Sequence, residues 1–257
     1  GGQQQAIFGG GDGWVYSFDP QGDGAGGSKL LWKFDANPKD SEWVLGGRGT
    51  RNNLIATPVI WEDRVYIGVG QDPEHGEAPG HFYAIDPTLE GDVTEKGKVW
   101  NRSGKDFRRT ISSAAIKDDI VYISDLTGFL YALNAQTGEH YWTYDTFAAV
   151  WGSPFLADGK VYLADEDGDV VVIKEGKGVD GEPEILAEDL NLGAATYTTP
   201  VANDGVLFLL SRNRLFALAE GASMKPKAEE PKAEAEKPEA RAEEPPADDA
   251  EAESDEA

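Results

Sequence analysis

The chain has no cysteine among its 257 residues, one methionine and three histidines. Without thiols there is no disulfide framework, no thiolate nucleophile and no thiolate metal site. None of the histidines lies near a Gly-x-Ser-x-Gly, which leaves little for a hydrolase. No apolar run approaches 18 residues, so no segment has the length of a membrane-spanning helix. Positive charge is scarce: 23 Lys and Arg stand against 47 Asp and Glu, a net charge of −24. A surface this acidic repels phosphate backbones at long range and argues against nucleic acid as a partner. There is no Walker sequence, and Gly9-Gly-Gly-Asp-Gly13 joins strand to strand where a phosphate cradle wants a helix after it.

Residues 222–257 lack something else. They contain no aromatic residue, and from residue 225 onward 13 Asp and Glu face 5 Lys and Arg. Nothing there repays the entropy of ordering the backbone, so an acidic Ala/Glu/Pro-rich tail without a fixed fold is expected. The folding unit is then residues 1–221, enough for one large core. The tail carries −8 of the net −24, leaving about −16 on the body. The opening Gly1-Gly-Gln-Gln-Gln reaches a strand signal within ten residues, carries no signal-peptide pattern and reads as an internal start.

What the body does contain is a repeat. One copy is Val121-Tyr-Ile-Ser-Asp-Leu-Thr-Gly-Phe-Leu-Tyr-Ala-Leu-Asn-Ala-Gln-Thr-Gly-Glu-His-Tyr-Trp142, with looser copies around Tyr16, Tyr83, Val172 and Phe216. Each unit starts with a short segment ending in small residues or Pro, as in Ala56-Thr-Pro-Val-Ile60, Ser112-Ser-Ala-Ala-Ile116, Gly152-Ser-Pro-Phe-Leu156 and Thr198-Thr-Pro-Val-Ala202. Two alternating apolar strands follow, then a fourth strand carrying Trp or Leu: Lys98-Val-Trp100, His140-Tyr-Trp142 and Glu184-Ile-Leu186. The strands are short, rich in β-branched and aromatic residues, and bounded by Gly, Asp and Asn, which is the all-β pattern. No stretch of the body keeps a helical apolar period over ten or more residues. Asp158-Gly159 and Asp204-Gly205 fit tight hairpins. Third-strand centres lie 48, 41 and 44 residues apart from Tyr83 through Tyr131 and Val172 to Phe216. Four antiparallel strands at that period predict a β-propeller blade.

The count is three strands, three units of four, and three more, or 18 strands in about five blades. Both ends supply second and third strands, so they overlap instead of completing each other. An open blade edge exposes unpaired backbone groups. The expectation is an arc of a larger propeller, with its terminal blades incomplete.

The unit Gly128-Phe-Leu-Tyr-Ala-Leu-Asn-Ala-Gln-Thr-Gly-Glu-His-Tyr-Trp142 resembles the repeat of the pyrroloquinoline quinone (PQQ)-like propellers, over residues 6–219. That superfamily includes quinoprotein alcohol dehydrogenases and the lipoprotein subunit of the outer-membrane β-barrel assembly machine. Phrases such as Ala6-Ile-Phe-Gly-Gly-Gly-Asp-Gly-Trp-Val-Tyr-Ser-Phe-Asp-Pro20 and Val150-Trp-Gly-Ser-Pro154 are similar to planctomycete PQQ-like repeat proteins. The dehydrogenase resemblance implies a quinone resting on a tryptophan beneath an adjacent-cysteine disulfide, calcium held by Glu and Asn, and an Asp base. This chain has no cysteine, and no stretch matches the calcium ligands or the base, so none is carried over. The blade-docking tryptophans of the superfamily do have counterparts in Trp32, Trp100 and Trp142, whose expected work is packing between blades. The resemblance also implies a periplasmic or secreted location.

Several residues stand out from the scaffold. Asp165, Asp167 and Asp169 alternate around a glycine turn, as a hard cation would want. The opposing reading is a solvated hairpin, since Leu126-Thr-Gly128 holds the equivalent place without the acids. His75, with Asp72, Glu74 and Glu77, lies in an insertion at 71–79 and His81 just after it, at no zinc spacing. His140 sits alone on a fourth strand and is expected to be exposed. Arg48 and Arg51, from a second insertion at 36–53, and Arg108 and Arg109 each precede a first strand. In that register they would meet Trp151 and Tyr197 on one rim, where guanidinium forks suit a carboxylate or sulfate and the rings an apolar or sugar face. Structural ion pairs are the competing role for the arginines. These features point to a non-catalytic scaffold that binds a protein or a small anionic or glycan ligand. The alternative implied by the resemblance is a PQQ- and calcium-dependent oxidoreductase whose active-site residues are missing or upstream.

Overall fold

The computed structural model describes residues 2–37, 42, 44, 52–70 and 80–221. The 71–79 insertion, most of the 36–53 insertion and the tail at 222–257 lie outside the described residues. The first sheet comprises β1 (Ala6–Gly9), β2 (Trp14–Asp19) and β3 (Lys29–Asp35). The second comprises β4 (Val59–Trp61), β5 (Arg64–Val69), β6 (His81–Ile85) and β8 (Lys98–Ser103), with β7 (Gly91–Asp92) between β6 and β8 in sequence. The third runs β9 (Ala115–Lys117), β10 (Ile120–Ser124), β11 (Phe129–Asn134) and β12 (His140–Asp145). The fourth runs β13 (Phe155–Ala157), β14 (Lys160–Ala164), β15 (Asp169–Lys174) and β16 (Ile185–Asn191). The last holds β17 (Val201–Asn203), β18 (Val206–Ser211) and β19 (Arg214–Ala219). Each sheet is an antiparallel meander in chain order, so the five sheets are blades of a propeller arc.

Strand periodicity explains why the middle blades read as nearly continuous apolar runs. Val121 and Ile123 pack toward the second blade with Tyr66 and Phe82, while Ile120 and Tyr122 pack toward the fourth with Val161 and Leu163. Both faces of the sheet are buried, so both sets of alternate positions must be apolar. The hairpins fit the same twist. Asp158 and Gly159 have φ of 50° and 71°, and Asp204 and Gly205 of 48° and 76°. Positive φ at both central residues is the turn that matches right-handed strands, and glycine takes the second place at no steric cost.

The described residues form 19 strands where 18 were expected. The extra one is β7, which leaves the second blade and pairs in parallel with β3, Trp32 opposite Gly91 and Lys33 opposite Asp92. It covers the outer edge of the first blade, an edge that would otherwise expose unpaired backbone groups. First strands also begin later than expected, at Val59, Ala115, Phe155 and Val201. The residues before them make a different set of bonds. The Thr57 amide donates to Ser113 Oγ (2.9 Å), the Ser113 amide to Ser153 Oγ (3.0 Å), and the Ser153 amide to Thr199 Oγ1 (2.9 Å). Equivalent positions in successive blades thus form a relay, each hydroxyl accepting from the blade before it.

Tryptophan sets the spacing between blades. In the first four blades the ladder slips by one residue beside the same fourth-strand position: Trp32 lies opposite Ser17, Trp100 opposite Ala84, Trp142 opposite Ala132 and Ala187 opposite Val172. A bulge re-aims its neighbouring side chain. Trp142 is fully buried on Tyr122, and its Nε1–H donates to the Gly176 carbonyl (2.9 Å). Trp100 likewise lies against Tyr66 and donates to the Ala135 carbonyl (2.9 Å). Trp32 is fully buried and donates to Gln5 Oε1 (2.8 Å). The fourth blade carries Ala187 at this place, and its contact with the fifth is small: Ala164, Val170 and Leu209 form the buried cluster.

Apolar side chains cluster on the first and fifth blades of the described residues. On the first blade Phe8, Tyr16 and Phe18 stack on one another, with Phe8 and Phe18 rings 5.8 Å apart. On the fifth, Val201 lies opposite Phe208 and Leu210 opposite Leu215, and Val201, Leu210 and Leu215 are exposed. Truncating Trp142 to alanine should cost about 3–5 kcal/mol of unfolding free energy. Trp142→Phe, which keeps a ring but loses the bond to Gly176, should cost about 1–2 kcal/mol. Urea midpoints read both, and equal losses would show that the ring left by Trp142→Phe does not hold the blades together without the bond to Gly176.

Candidate functional site

The acids that stand out in the sequence are held by their own turns. Asp125 Oδ1 accepts from the Thr127 amide (2.9 Å), Thr127 Oγ1 (2.7 Å) and the Phe129 amide (3.2 Å), and its Oδ2 accepts from Tyr131 OH (2.7 Å). Asp12 is used the same way by the Trp14 amide and Tyr16 OH. Asp165 holds this place in the fourth blade. It is 2% exposed and accepts from the Asp167 and Asp169 amides, both at 3.0 Å. Burial pushes its carboxyl above the usual carboxylate range, with Asp169 and Asp167 adding to the effect. Asp169 instead takes Asn191 Nδ2 at 2.6 Å. The three carboxylates do not converge, and among the described residues no group of three or more His, Asp or Glu is placed to hold a metal ion. Asp165, Asp167 and Asp169 as placed do not form a calcium site.

The histidines are placed separately. His81 stacks on Tyr83 with ring centroids 5.4 Å apart, and its Nδ1 lies 3.3 Å from Asn101 Nδ2. Burial, with Lys98 second, holds its pKa below the ordinary value. His75, Asp72, Glu74 and Glu77 lie outside the described residues. A cavity of ≈ 770 Å³ between the first two blades is lined by Trp14, His81, Tyr83, Asp92, Lys98 and Asn101 among others.

Arg48 and Arg51 also lie outside the described residues. For the rest of the expected rim, backbone bonds give the register. The Leu126 amide donates to Arg109, Glu166 to Ala149 and Arg212 to Ala195. Arg109 therefore corresponds to Ala149 and Ala195, whereas Trp151 and Tyr197 correspond to Ile111. The expected rim, aligned on the first strands, is thus two residues out of step with the true register. Backbone at Arg108 and Arg109 packs directly on Gly70 and Gly80, where a Cβ on Gly80 would collide with the Arg108 carbonyl.

Two separate clusters result. Trp151 and Tyr197 meet edge to face, centroids 5.8 Å apart, and both donate to one carboxylate, Glu166, at 3.1 and 3.3 Å. The loop leading to Trp151 projects Phe147, which is 89% exposed with φ of 62°. Arg108 instead reaches the third blade. Its guanidinium lies 5.1 Å from the centre of the Phe129 ring, and Nη1 donates to Thr127 Oγ1 at 3.1 Å. Arg102, Lys105, Asp106, Tyr131, His140 and Thr143 complete a groove of ≈ 360 Å³ there. Sequence reasoning missed Arg102, Lys105, Glu166 and Phe147. The available signal was Arg102-Ser-Gly-Lys-Asp-Phe-Arg108, three cations in seven residues of an acidic chain.

Four-stranded meanders docked face to face by fourth-strand tryptophans define a β-propeller of the PQQ-like type. The sequence pattern of the family described as "Outer membrane protein assembly factor BamB" matches residues 11–222. The chain belongs to this PQQ-like, BamB-type β-propeller family. None of the curated proteins matches it by sequence. Among solved structures it is similar to BamB from Moraxella catarrhalis, at 16% identity and TM-score 0.59, over 83% of this chain and 55% of that one. It is similar to the C-terminal WD40 domain of Sif2 at 11% identity and TM-score 0.58, over 82% of this chain and 54% of that one. A quinohemoprotein alcohol dehydrogenase from Pseudomonas putida HK5 matches at 15% identity and TM-score 0.52, over 80% of this chain and 41% of that one. At these identities the likeness is one of fold. The chain spans 41% to 55% of the length of these three structures.

The Asp165 carboxyl is raised in the folded chain, so its charge opposes folding as pH rises through that raised value, and the penalty fades below the unfolded value. Asp165→Asn keeps an acceptor for both turn amides and removes the charge. Its melting temperature should exceed that of the parent at pH 7, and the gap should close as pH falls toward about 4. A gap that is constant with pH would mean that folding leaves the Asp165 carboxyl at its unfolded value, against the raised direction given by its burial.

Proposed function

We propose that this propeller is a non-catalytic scaffold that works outside the cytoplasm and binds a protein partner. The observation that carries the reading is Phe147. A phenylalanine held 89% exposed, on backbone in the left-handed region, is costly for a chain that gains nothing from it. Its amide is fixed by Asp145 Oδ1 (2.8 Å), and Thr146 Oγ1 ties the same turn to Gly128 and Ala148. The ring is thus presented by a rigid turn, four residues before Trp151, in the manner of an aromatic anchor at an interface. Tyr197, 45% exposed, extends the aromatic surface from the next blade start. Support for the location comes from the family alone, whose description is an outer-membrane protein assembly factor. Acids that a catalyst or metal would need are engaged in Asx-turns, which favours a scaffold over an oxidoreductase.

A photo-crosslinking phenylalanine analogue at position 147 should give one discrete adduct in cells of the source organism. The same analogue at Val179, also exposed, should give none. Absence of any adduct at 147 would count against the partner. Equilibrium dialysis of the chain against PQQ and calcium should leave no retained quinone; stoichiometric retention with dye-linked alcohol oxidation would replace the scaffold reading with the enzymatic one.

A further inference from the structure

We propose that the groove between the second and third blades, formed by Arg102, Lys105 and Arg108 beside Phe129 and His140, binds a small multivalent oxyanion. The site is independent of the surface at Phe147. Charge is the first reason. The body carries about −16, yet three cations converge here with Asp106 as the single acid of the lining. Among the described residues none of the three forms an ion pair; the lysines that do pair are Lys29, Lys33, Lys117, Lys160 and Lys174, all elsewhere. Structural neutralisation, the ordinary role for arginine in an acidic protein, therefore does not account for them.

Unmet hydrogen bonding is the second reason. Arg102 Nε is buried and has no partner. A buried guanidinium donor without an acceptor is costly, and the fork that carries it lines the groove, where its other N–H groups can hold an oxyanion. Arg108 uses one of its five donors on Thr127, and its guanidinium lies over the Phe129 ring at 5.1 Å, which leaves further donors for a ligand. Geometry is the third reason. Arg102 is the second-last residue of the fourth strand of its blade, a 3-10 turn at Gly104–Asp106 carries Lys105, and Arg108 follows, so one short connection brings all three to the groove against the next blade. The ≈ 360 Å³ volume suits a small polycarboxylate or a di- or triphosphate fragment, and planar forks serve the oxygens of either. A monoanion would leave two of the three cations uncompensated.

His140 reports on the site. Its Nε2 lies 2.7 Å from Thr143 Oγ1, and burial followed by the field of Arg102 lowers its pKa. The charged and titratable groups lining the groove with it are Arg102, Lys105, Arg108, Asp106 and Tyr131. An anion bound among the cations would offset them and raise the pKa of His140.

Isothermal titration of the full chain with citrate, and separately with inorganic pyrophosphate, tests this at low ionic strength. At least one should bind saturably at one per chain, and the two arms separate a carboxylate from a phosphate preference. Lys105→Gln and Arg108→Gln change exposed side chains and should each weaken binding about tenfold. Arg102→Gln should do so too; if that variant fails to fold, the other two decide. Raising salt to about 0.15 M should weaken binding further. Binding by neither anion, or binding unchanged in the Lys105→Gln/Arg108→Gln double variant, overturns the proposal. So does a His140 proton resonance whose pKa stays put in the citrate- or pyrophosphate-bound chain.

Discussion

A sheet that is apolar on both faces cannot stand alone, and in this chain the fourth-strand tryptophan meets that constraint. The ring supplies a large flat area to the neighbouring blade, and its N–H gives one directional bond to a carbonyl of that blade, Gly176 for Trp142 and Ala135 for Trp100. Tyr122 and Tyr66 bond the same two residues, through the Gly176 amide and the Ala135 carbonyl. The register slip beside each tryptophan aims it. Glycines 138 and 178 lie against the rings, where a Cβ would press on Trp100 and Trp142 at 2.8 Å. The apolar area thus gains an orientation. The hydroxyl relay from Thr57 to Thr199 then ties the blade starts together at a second place.

Much of this was legible because propeller blades repeat. Laying the copies around Tyr131 over one another exposes the alternation, the turn aspartates and the tryptophans, and each is a local consequence of strand and turn chemistry. What stayed hidden depends on contacts between blades. Strand β7 is two residues, Gly91 and Asp92, with no apolar pattern; it is a strand only because β3 offers a free edge. The late start of the first strands follows from bonds between Thr57, Ser113, Ser153 and Thr199, residues far apart in sequence. The fourth blade's docking position is Ala187, and the bulged ladder places it one residue beyond Leu186, which periodicity favours.

The surface features were harder to read for the same reason. Arg108 and Trp151 both precede first strands, yet the register puts them three residues out of step, and they belong to different clusters. Arg102 sits on a fourth strand and Lys105 on a turn; only the adjacent blade's Phe129 and His140 reveal a common groove. Asp165 gave the opposite difficulty. Four acids in five residues resemble a cation loop, but a turn needs one inward carboxylate to collect its amides, and the remaining acids then face elsewhere. Asp125 does the same work with no acidic neighbours, which shows that the turn geometry, and not charge density, requires the carboxylate.

Within the described residues the five blades form a one-dimensional array, in which each interface between neighbours is a separate joint. In such an array stability is a gradient. Amide protons of the third blade, flanked by tryptophan contacts on both sides, exchange only when neighbouring interfaces open. The fifth blade, docked through Ala164, Val170 and Leu209 without a tryptophan, lets go first. The weak joint is set by one residue, Ala187, and it is the place where the fourth and fifth blades can part while the blades before it stay folded.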